Sequence, residues 1–289
     1  MTVRDSSNPS QARSILAAAG LTASRSKGQN FLTQPAIADR IVAAAELNSS
    51  DDVIEIGPGL GILTERILQY GVRSLTLVEL DRALAARLRE TFENDRRVTI
   101  VESDFLKVDF HSLAKHSVKL IGNLPFNAAA AIFRMLCDRH NSIAMIVAMF
   151  QREVGERLRA RPGDSAYSAL SVYASLYFDV DLHFRVAAGS FHPKPKVDAE
   201  VLRFRPLRNP LFDRAEELDV LDAVRASFSA PRKMIRNSLA SGLRLPPRDA
   251  ELALRLADIE PTARAESLSP PDFVRLARAL RQHAGTARS

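Results

Sequence analysis

Apolar residues in this chain follow two alternating periods. Short runs of consecutive or every-second apolar positions read as strands: Asp52–Ile56, Leu75–Leu80, Val98–Val101, Lys119–Ile121 and Ile143–Phe150. Between them, apolar residues three and four apart read as helices: Ile37–Leu47, Leu63–Tyr70, Ala83–Phe92, Ala128–Cys137 and Arg152–Arg159. Strands alternating with helices predict an α/β fold, a parallel sheet with helices on both faces. A further helix is expected over Tyr167–Tyr177. Two late strands follow, Asp181–Val186 and Asp198–Arg205, with a turn rich in Pro and Lys between them. Arg205–Pro210 reads as a linker. After it, residues 213–289 read as short amphipathic helices broken at Pro246–Pro247, Pro261 and Pro270–Pro271. The expected division is a flexible arm over residues 1–25, an α/β domain over 26–206 and a small all-α domain over 207–289.

Composition narrows the class. The 289 residues are 46% hydrophobic and 26% charged, the balance of a globular chain. No apolar run reaches the ~18 residues of a membrane span, so no membrane partner is expected. The opening MTVRDSSNPSQARS has no apolar signal core, and a cytoplasmic location is expected. Cys137 is the only cysteine, which excludes an internal disulfide and any cysteine-built metal site; no metal is expected. The net charge is +6, and 33 of the 40 basic residues are arginine, whose fork suits phosphates and base edges. This excess favours a polyanionic partner, although an Arg-rich coding bias gives the same balance. Residues 208–289 hold fourteen basic against eleven acidic residues, so both parts share the excess.

Val53-Ile54-Glu55-Ile56-Gly57-Pro58-Gly59-Leu60-Gly61 ends the first strand. Three glycines at alternate positions let the backbone pass close to a ligand. The spacing is not the GxGxxG of pyrophosphate-binding folds, and Pro58 removes a donor from the turn. Glu79 lies 22 residues after Gly57, at the end of the second strand, where a carboxylate can accept from both hydroxyls of a ribose. An adenosine-type ligand without a gripped pyrophosphate fits these features; a glycine turn with a surface acid is the alternative. Asp104 ends the third strand, placed either to accept from an adenine amine or to cap a helix. Asn30, before the first strand, reads by itself as a loop residue.

Asn123-Leu124-Pro125-Phe126 stands at the tip of the fourth strand. The amino nitrogen of adenine is a poor nucleophile, because its lone pair is delocalised into the ring. Two acceptors aimed at its hydrogens favour the pyramidal form that can attack a methyl group. The Asn123 carboxamide oxygen and the Leu124 carbonyl are candidates. Pro125 fixes the turn, and Phe126 can stack on the base. Such a base must be unpaired or flipped out. A plain strand-to-helix turn with a half-buried Phe is the alternative.

Several longer stretches resemble one family. KGQNFL, EIGPGLGILT, VELDR, ESDFLKVDF, GNLPFN, FQREVGERLRARPGDSAYSALSV, FHPKPKVDAEV, FSAPRKMIRNSL and IEPTARAESLSPPDFVRLARAL occur in the order and spacing of the small-subunit ribosomal RNA adenine dimethyltransferases. The resemblance runs from about Ser26 to Leu280. It implies a Rossmann-like S-adenosylmethionine-dependent methyltransferase domain and a helical domain that binds rRNA. It implies N6,N6-dimethylation of two adjacent adenosines in the 3′ hairpin loop of 16S rRNA, within the small ribosomal subunit or its late precursor. Asn30, Leu32, Gly57, Glu79, Asp104 and Asn123 fall on the family's cofactor-binding positions, and Asn123 through Phe126 on its catalytic loop. Phe191 falls on an aromatic position near the active site and is expected to form the second wall of the base slot. Lys194 and Lys196 are expected near RNA phosphates, although a solvated turn is an equal reading. Arg232, Lys233 and Arg236 are expected to bind RNA from the second domain, with a solvated helix face as the alternative. The chain departs from the family pattern at Phe126, usually Tyr, and at Ser168–Ala169, usually Gly-Arg. A monomer is expected. Two rivals are an enzyme acting on large-subunit rRNA and a binding factor without catalysis.

Overall fold

The structure is a computed structural model and describes residues 29–114 and 116–286. The arm expected over residues 1–25 lies outside the described residues, as do Lys27 and Gly28 of the KGQNFL stretch.

The chain divides into two compact units. The first holds the sheet, and its elements follow the expected alternation: β1 (Phe31–Leu32), α1 (Pro35–Ala43), β2 (Asp52–Ile56), α2 (Ile62–Gln69), β3 (Ser74–Glu79), α3 (Arg82–Thr91), β4 (Val98–Glu102), the short α4 (Phe110–Leu113), β5 (Val118–Asn123), α5 (Ala129–Cys137) and β6 (Ile143–Gln151). After two helices, α6 (Arg152–Arg159) and α7 (Ala169–Tyr177), come β7 (Phe178–Val186), β8 (Phe191–His192) and β9 (Ala199–Pro206). Seven strands form one sheet in the order β4-β3-β2-β5-β6-β9-β7. The pairs β4/β3, β3/β2, β2/β5 and β5/β6 are parallel. Strand β9 is antiparallel to β6, so the expected parallel sheet carries a mixed edge. The two-residue strands β1 and β8 pair separately, antiparallel.

Both faces of the sheet are covered, which is why β6 reads as an unbroken apolar run. Met145, Val147 and Met149 of β6 join an aliphatic core with Ile41 and Val42 of α1 and Leu63 and Ile67 of α2. Phe150, one residue out of phase, faces the opposite layer, where it packs with Phe204 and Phe133 at centroid distances of 5.8 and 6.4 Å. Each fully buried Phe of this kind contributes about 1.5–3 kcal/mol of transfer free energy.

The second unit comprises Glu156–Asp179 together with Leu207 onward. Its later helices are α8 (Glu217–Ser227), α9 (Ile235–Leu243), α10 (Pro247–Leu256) and α11 (Pro270–Thr286). The expected single boundary near residue 206 is thus one of several crossings, because α7 belongs with these helices. It is buried nearly all round, and its entry is anchored in the second unit. Tyr167 packs edge-on to Phe228 at 6.0 Å and donates its hydroxyl to the Leu268 carbonyl at 2.8 Å. Ser168 is the N-cap of α7: its N–H donates to Ser171 Oγ at 2.9 Å, and that hydroxyl donates to the Arg157 carbonyl at 2.5 Å. The Ser168–Ala169 departure therefore builds a helix start. Pro247 and Pro270 begin α10 and α11, where a missing N–H costs nothing; they start helices as well as separate them.

Candidate active site

The C-terminal ends of β2 through β5 open into a cavity of about 300 Å³. It lies where the strand order reverses, between β2 and β5, the place where open α/β sheets bind ligands. Gly122 permits the close approach of these two strands. A Cβ there would fall 2.7 Å from the Ile56 carbonyl oxygen.

The Gly57–Gly61 loop forms one wall. Gly59 has φ +57°, and the Phe31 ring stands 3.0 Å from where its Cβ would be. The loop therefore needs glycine for conformation and for space. Gly59→Ala should weaken cofactor binding at least about tenfold, since left-handed strain of roughly 1–3 kcal/mol adds to a displaced Phe31. Calorimetric titration with S-adenosylhomocysteine measures this, and an unchanged affinity would refute the packing argument.

Glu79 ends β3 and is nearly buried. Its Oε2 accepts from the Gly59 N–H at 3.1 Å and its Oε1 from the Asp81 N–H at 2.9 Å. Burial pushes its carboxyl above the ordinary range, and these two hydrogen bonds oppose that shift. Asp104 lines the cavity, and its Oδ1 also accepts from the Leu106 N–H at 3.0 Å. It is an N-cap and a wall residue together. The rim carries Leu80 and Leu106, 56% and 39% exposed. Leucines so open at a cavity mouth offer apolar surface to a flat ring. Neither is a sequence-predicted site residue, although Leu80 directly follows the strand-end acid Glu79 and Leu106 lies two residues after Asp104. Phe31 and Gln29 also line the cavity; they lie in KGQNFL, beside the expected Asn30 and Leu32, but are not themselves among the expected site residues.

Strand β5 runs two residues past its expected end and carries Asn123 to the opening. Asn123 Nδ2 donates to the Asn30 carbonyl at 2.8 Å, which fixes the orientation of the amide, because only the NH2 side can donate. Its Oδ1 is buried and has no hydrogen-bond partner among the described residues. A buried acceptor of this kind costs about 1–3 kcal/mol unless something donates to it. Leu124, Pro125 and Phe126 line the cavity beside it. The Pro125 carbonyl accepts from the Ala128 N–H at 2.9 Å and leads the chain into α5. Phe126 meets Phe191 edge-to-face, with centroids 6.3 Å apart and planes at 68°. Phe191 is buried and held by β1, where it pairs with Leu32.

The basic residues expected to touch RNA fare differently. Lys194 and Lys196 are exposed on the turn after β8. Arg232 and Lys233 are exposed before α9, in the second unit. Arg236 is half-buried and donates to Glu251 at 2.9 Å, so its charge is already paired. Among the described residues no group of three His, Cys, Asp or Glu is placed to hold a metal ion, and no helix is long and apolar enough to cross a membrane.

The cavity suits an adenosine-bearing ligand: a carboxylate for two hydroxyls, apolar rim residues for a ring and a loop whose Pro58 offers no N–H to a pyrophosphate. With a doubly wound sheet and an Asn-Leu-Pro-Phe strand tip, these features define the class of S-adenosylmethionine-dependent methyltransferases. Within that class, the chain belongs to the ribosomal RNA adenine dimethylase family, whose model matches residues 20–282. It is 40% identical over 257 residues to a ribosomal RNA small subunit methyltransferase A of Syntrophotalea carbinolica, covering 89% of this chain and 96% of the relative. A Bacillus thuringiensis protein of the same name is 33% identical, covering 97% and 99%. Among solved structures, a dimethyladenosine transferase from Plasmodium falciparum matches with TM-score 0.75 at 25% identity, over 88% of this chain and 98% of that one. The 23S rRNA methyltransferase ErmE matches with TM-score 0.67 at 29% identity, over 88% and 100%.

Proposed function

We propose that this protein dimethylates N6 of two adjacent adenosines in the 3′-terminal hairpin loop of 16S rRNA, within the small ribosomal subunit or its late precursor. The observation that carries the reading is the buried, unpartnered Oδ1 of Asn123 at the mouth of the cavity. A target adenine amine donates to it and to the Leu124 carbonyl, which draws the nitrogen toward the pyramidal form. Phe126 stacks on the base, and Phe191 backs the slot. The contact is worth about 1–3 kcal/mol and needs no tyrosine hydroxyl. S-adenosylmethionine, when bound, supplies an electrophilic methyl group on a sulfonium. Glu79 accepts from its ribose hydroxyls, Asp104 from its adenine amine, and Asn30, Leu32 and Gly57 complete the pocket. The proton lost from N6 passes to solvent. Positioning and electrostatics therefore carry the rate.

In this reading Lys194, Lys196, Arg232 and Lys233 contact RNA phosphates, and binding weakens with added salt. Arg236 contributes only by giving up Glu251. The protein acts as a monomer in the cytoplasm. The names borne by the curated relatives favour the small subunit over the large. The test is transfer of labelled methyl groups from S-adenosylmethionine to small subunits that lack the modification. N6,N6-dimethyladenosine at neighbouring positions is expected. Label in large-subunit RNA would move the substrate, and binding without transfer would make the protein an RNA-binding factor.

A further inference from the structure

Residues 29–32 line the cavity, and Thr33 anchors the segment behind them. Gln29 donates Nε2 to Asp81 Oδ2 at 3.4 Å. The Asn30 carbonyl accepts from Asn123. The Phe31 ring lies against Gly59. Leu32 pairs with Phe191. The Thr33 N–H and hydroxyl both donate to the Ser190 carbonyl, at 2.9 and 3.0 Å.

One continuous path runs through this belt. Glu79 accepts from the Asp81 N–H, the Asp81 carboxylate accepts from Gln29, and the next residue, Asn30, holds the Asn123 amide. The polarity of each step is fixed, since carboxylates and carbonyls only accept. Among the described residues Asn123 Oδ1 has no partner, so the bond to the Asn30 carbonyl is what sets which end of the amide faces the opening. If that carbonyl withdraws, the amide can turn and present its NH2 to an amine, donor against donor. On the other side of that carbonyl from β1, the Gln29 side chain ties the adjoining backbone to Asp81 at the start of α3.

We propose that Gln29 is a positioning residue that couples cofactor occupancy at Glu79 to the orientation of the Asn123 amide. This deepens the functional reading above and rests on it for the identity of the ligand. Cofactor binding settles the Glu79–Asp81 corner, Gln29 follows, and the amide is held with its oxygen outward before the base arrives.

The test is a polarity swap. Gln29→Glu keeps the size but sets two carboxylates face to face. Asp81→Asn keeps a helix-capping oxygen and supplies an NH2 from which the introduced carboxylate can accept. Two readouts are taken: turnover with saturating cofactor, and amide hydrogen exchange over Asn123–Phe126 with and without S-adenosylhomocysteine. In the wild type, S-adenosylhomocysteine should slow exchange in that loop. Gln29→Glu should abolish the slowing and lower kcat about tenfold even at saturating cofactor, with the affinity for S-adenosylhomocysteine falling only by the factor that the lost coupling supplied. The double variant Gln29→Glu/Asp81→Asn should recover both. The proposal is overturned if the wild-type loop does not respond to S-adenosylhomocysteine, if Gln29→Glu behaves as wild type, if its only loss is in cofactor affinity, or if the double variant does not recover. A wild type that shows the exchange response but methylates no adenine would remove the functional reading and leave the coupling standing.

Discussion

Asn123→Ala should lower kcat for methyl transfer about a hundredfold to a thousandfold, the range seen when one preorganised hydrogen-bonding group is removed from a reacting centre. Two functions are lost together: the buried acceptor at Oδ1 and the donor to the Asn30 carbonyl. Asn123→Asp separates them. A carboxylate still accepts from an amine, but it cannot donate to Asn30 and repels that carbonyl. The Asp variant should therefore retain more turnover than Ala and less than wild type. Single-turnover kinetics with saturating cofactor make the comparison, because they isolate the transfer from product release. Equal losses in both variants would mean that only orientation matters. A loss seen solely as weaker cofactor binding would place Asn123 in the cofactor pocket and outside the chemistry.

Replacing Glu55 by Gln should change how stability depends on pH. Glu55 is fully buried in β2 beneath the glycine loop. Its Oε2 accepts from the Thr64 hydroxyl at 2.6 Å, while Oε1 has no partner among the described residues. Burial pushes its pKa up to about 8 from an ordinary 4.5; the Thr64 hydrogen bond opposes this, and the nearby Glu79 adds to it. Between those two values the native state holds a proton that the unfolded state has released. Stability then falls as pH rises, by up to about 1.4 kcal/mol for each pH unit crossed. Above pH 8 the full penalty is in place, and below 4.5 it is absent. Glu55→Gln cannot ionise, and its amide oxygen can still accept from Thr64. The melting temperature of the variant should thus gain on that of the wild type from about pH 5 to about pH 8 and then hold a constant lead. Parallel curves would mean that Glu55 is ionised throughout and finds a donor in solution.

Much of the site is legible in the sequence because it is local. Asp52–Ile56 is a strand with the bounds its apolar run predicts, and the three glycines that follow all take positive φ. Asn123 stands at a strand tip two residues after its apolar run ends, and Glu79 stands at another one residue before the expected end of its run. Backbone geometry and short-range periodicity decide such features within a few residues, so the order of residues is enough to read them.

Other features depend on partners far away in the chain. Leu32 meets Phe191, and Asn30 meets Asn123, across separations that no window of periodicity spans. The α7 segment is apolar nearly all round, which suits a place against a sheet or among helices. Tyr167 and its bond to Leu268 decide for the helices. Arg236 reads in the sequence as one more cation of a basic run, and only Glu251, on another helix, shows its charge to be paired. Glu55 reads as one more residue of a glycine motif, and only its enclosure makes its carboxyl unusual. By itself the sequence determined the alternation of strands and helices, the glycine loop and the acids and amide at the strand tips. The tertiary structure decided which of them share one cavity, which charges are already paired and which buried oxygens are left without a donor among the described residues. These are properties of distance and solvent exclusion, and both arise only when remote segments pack together.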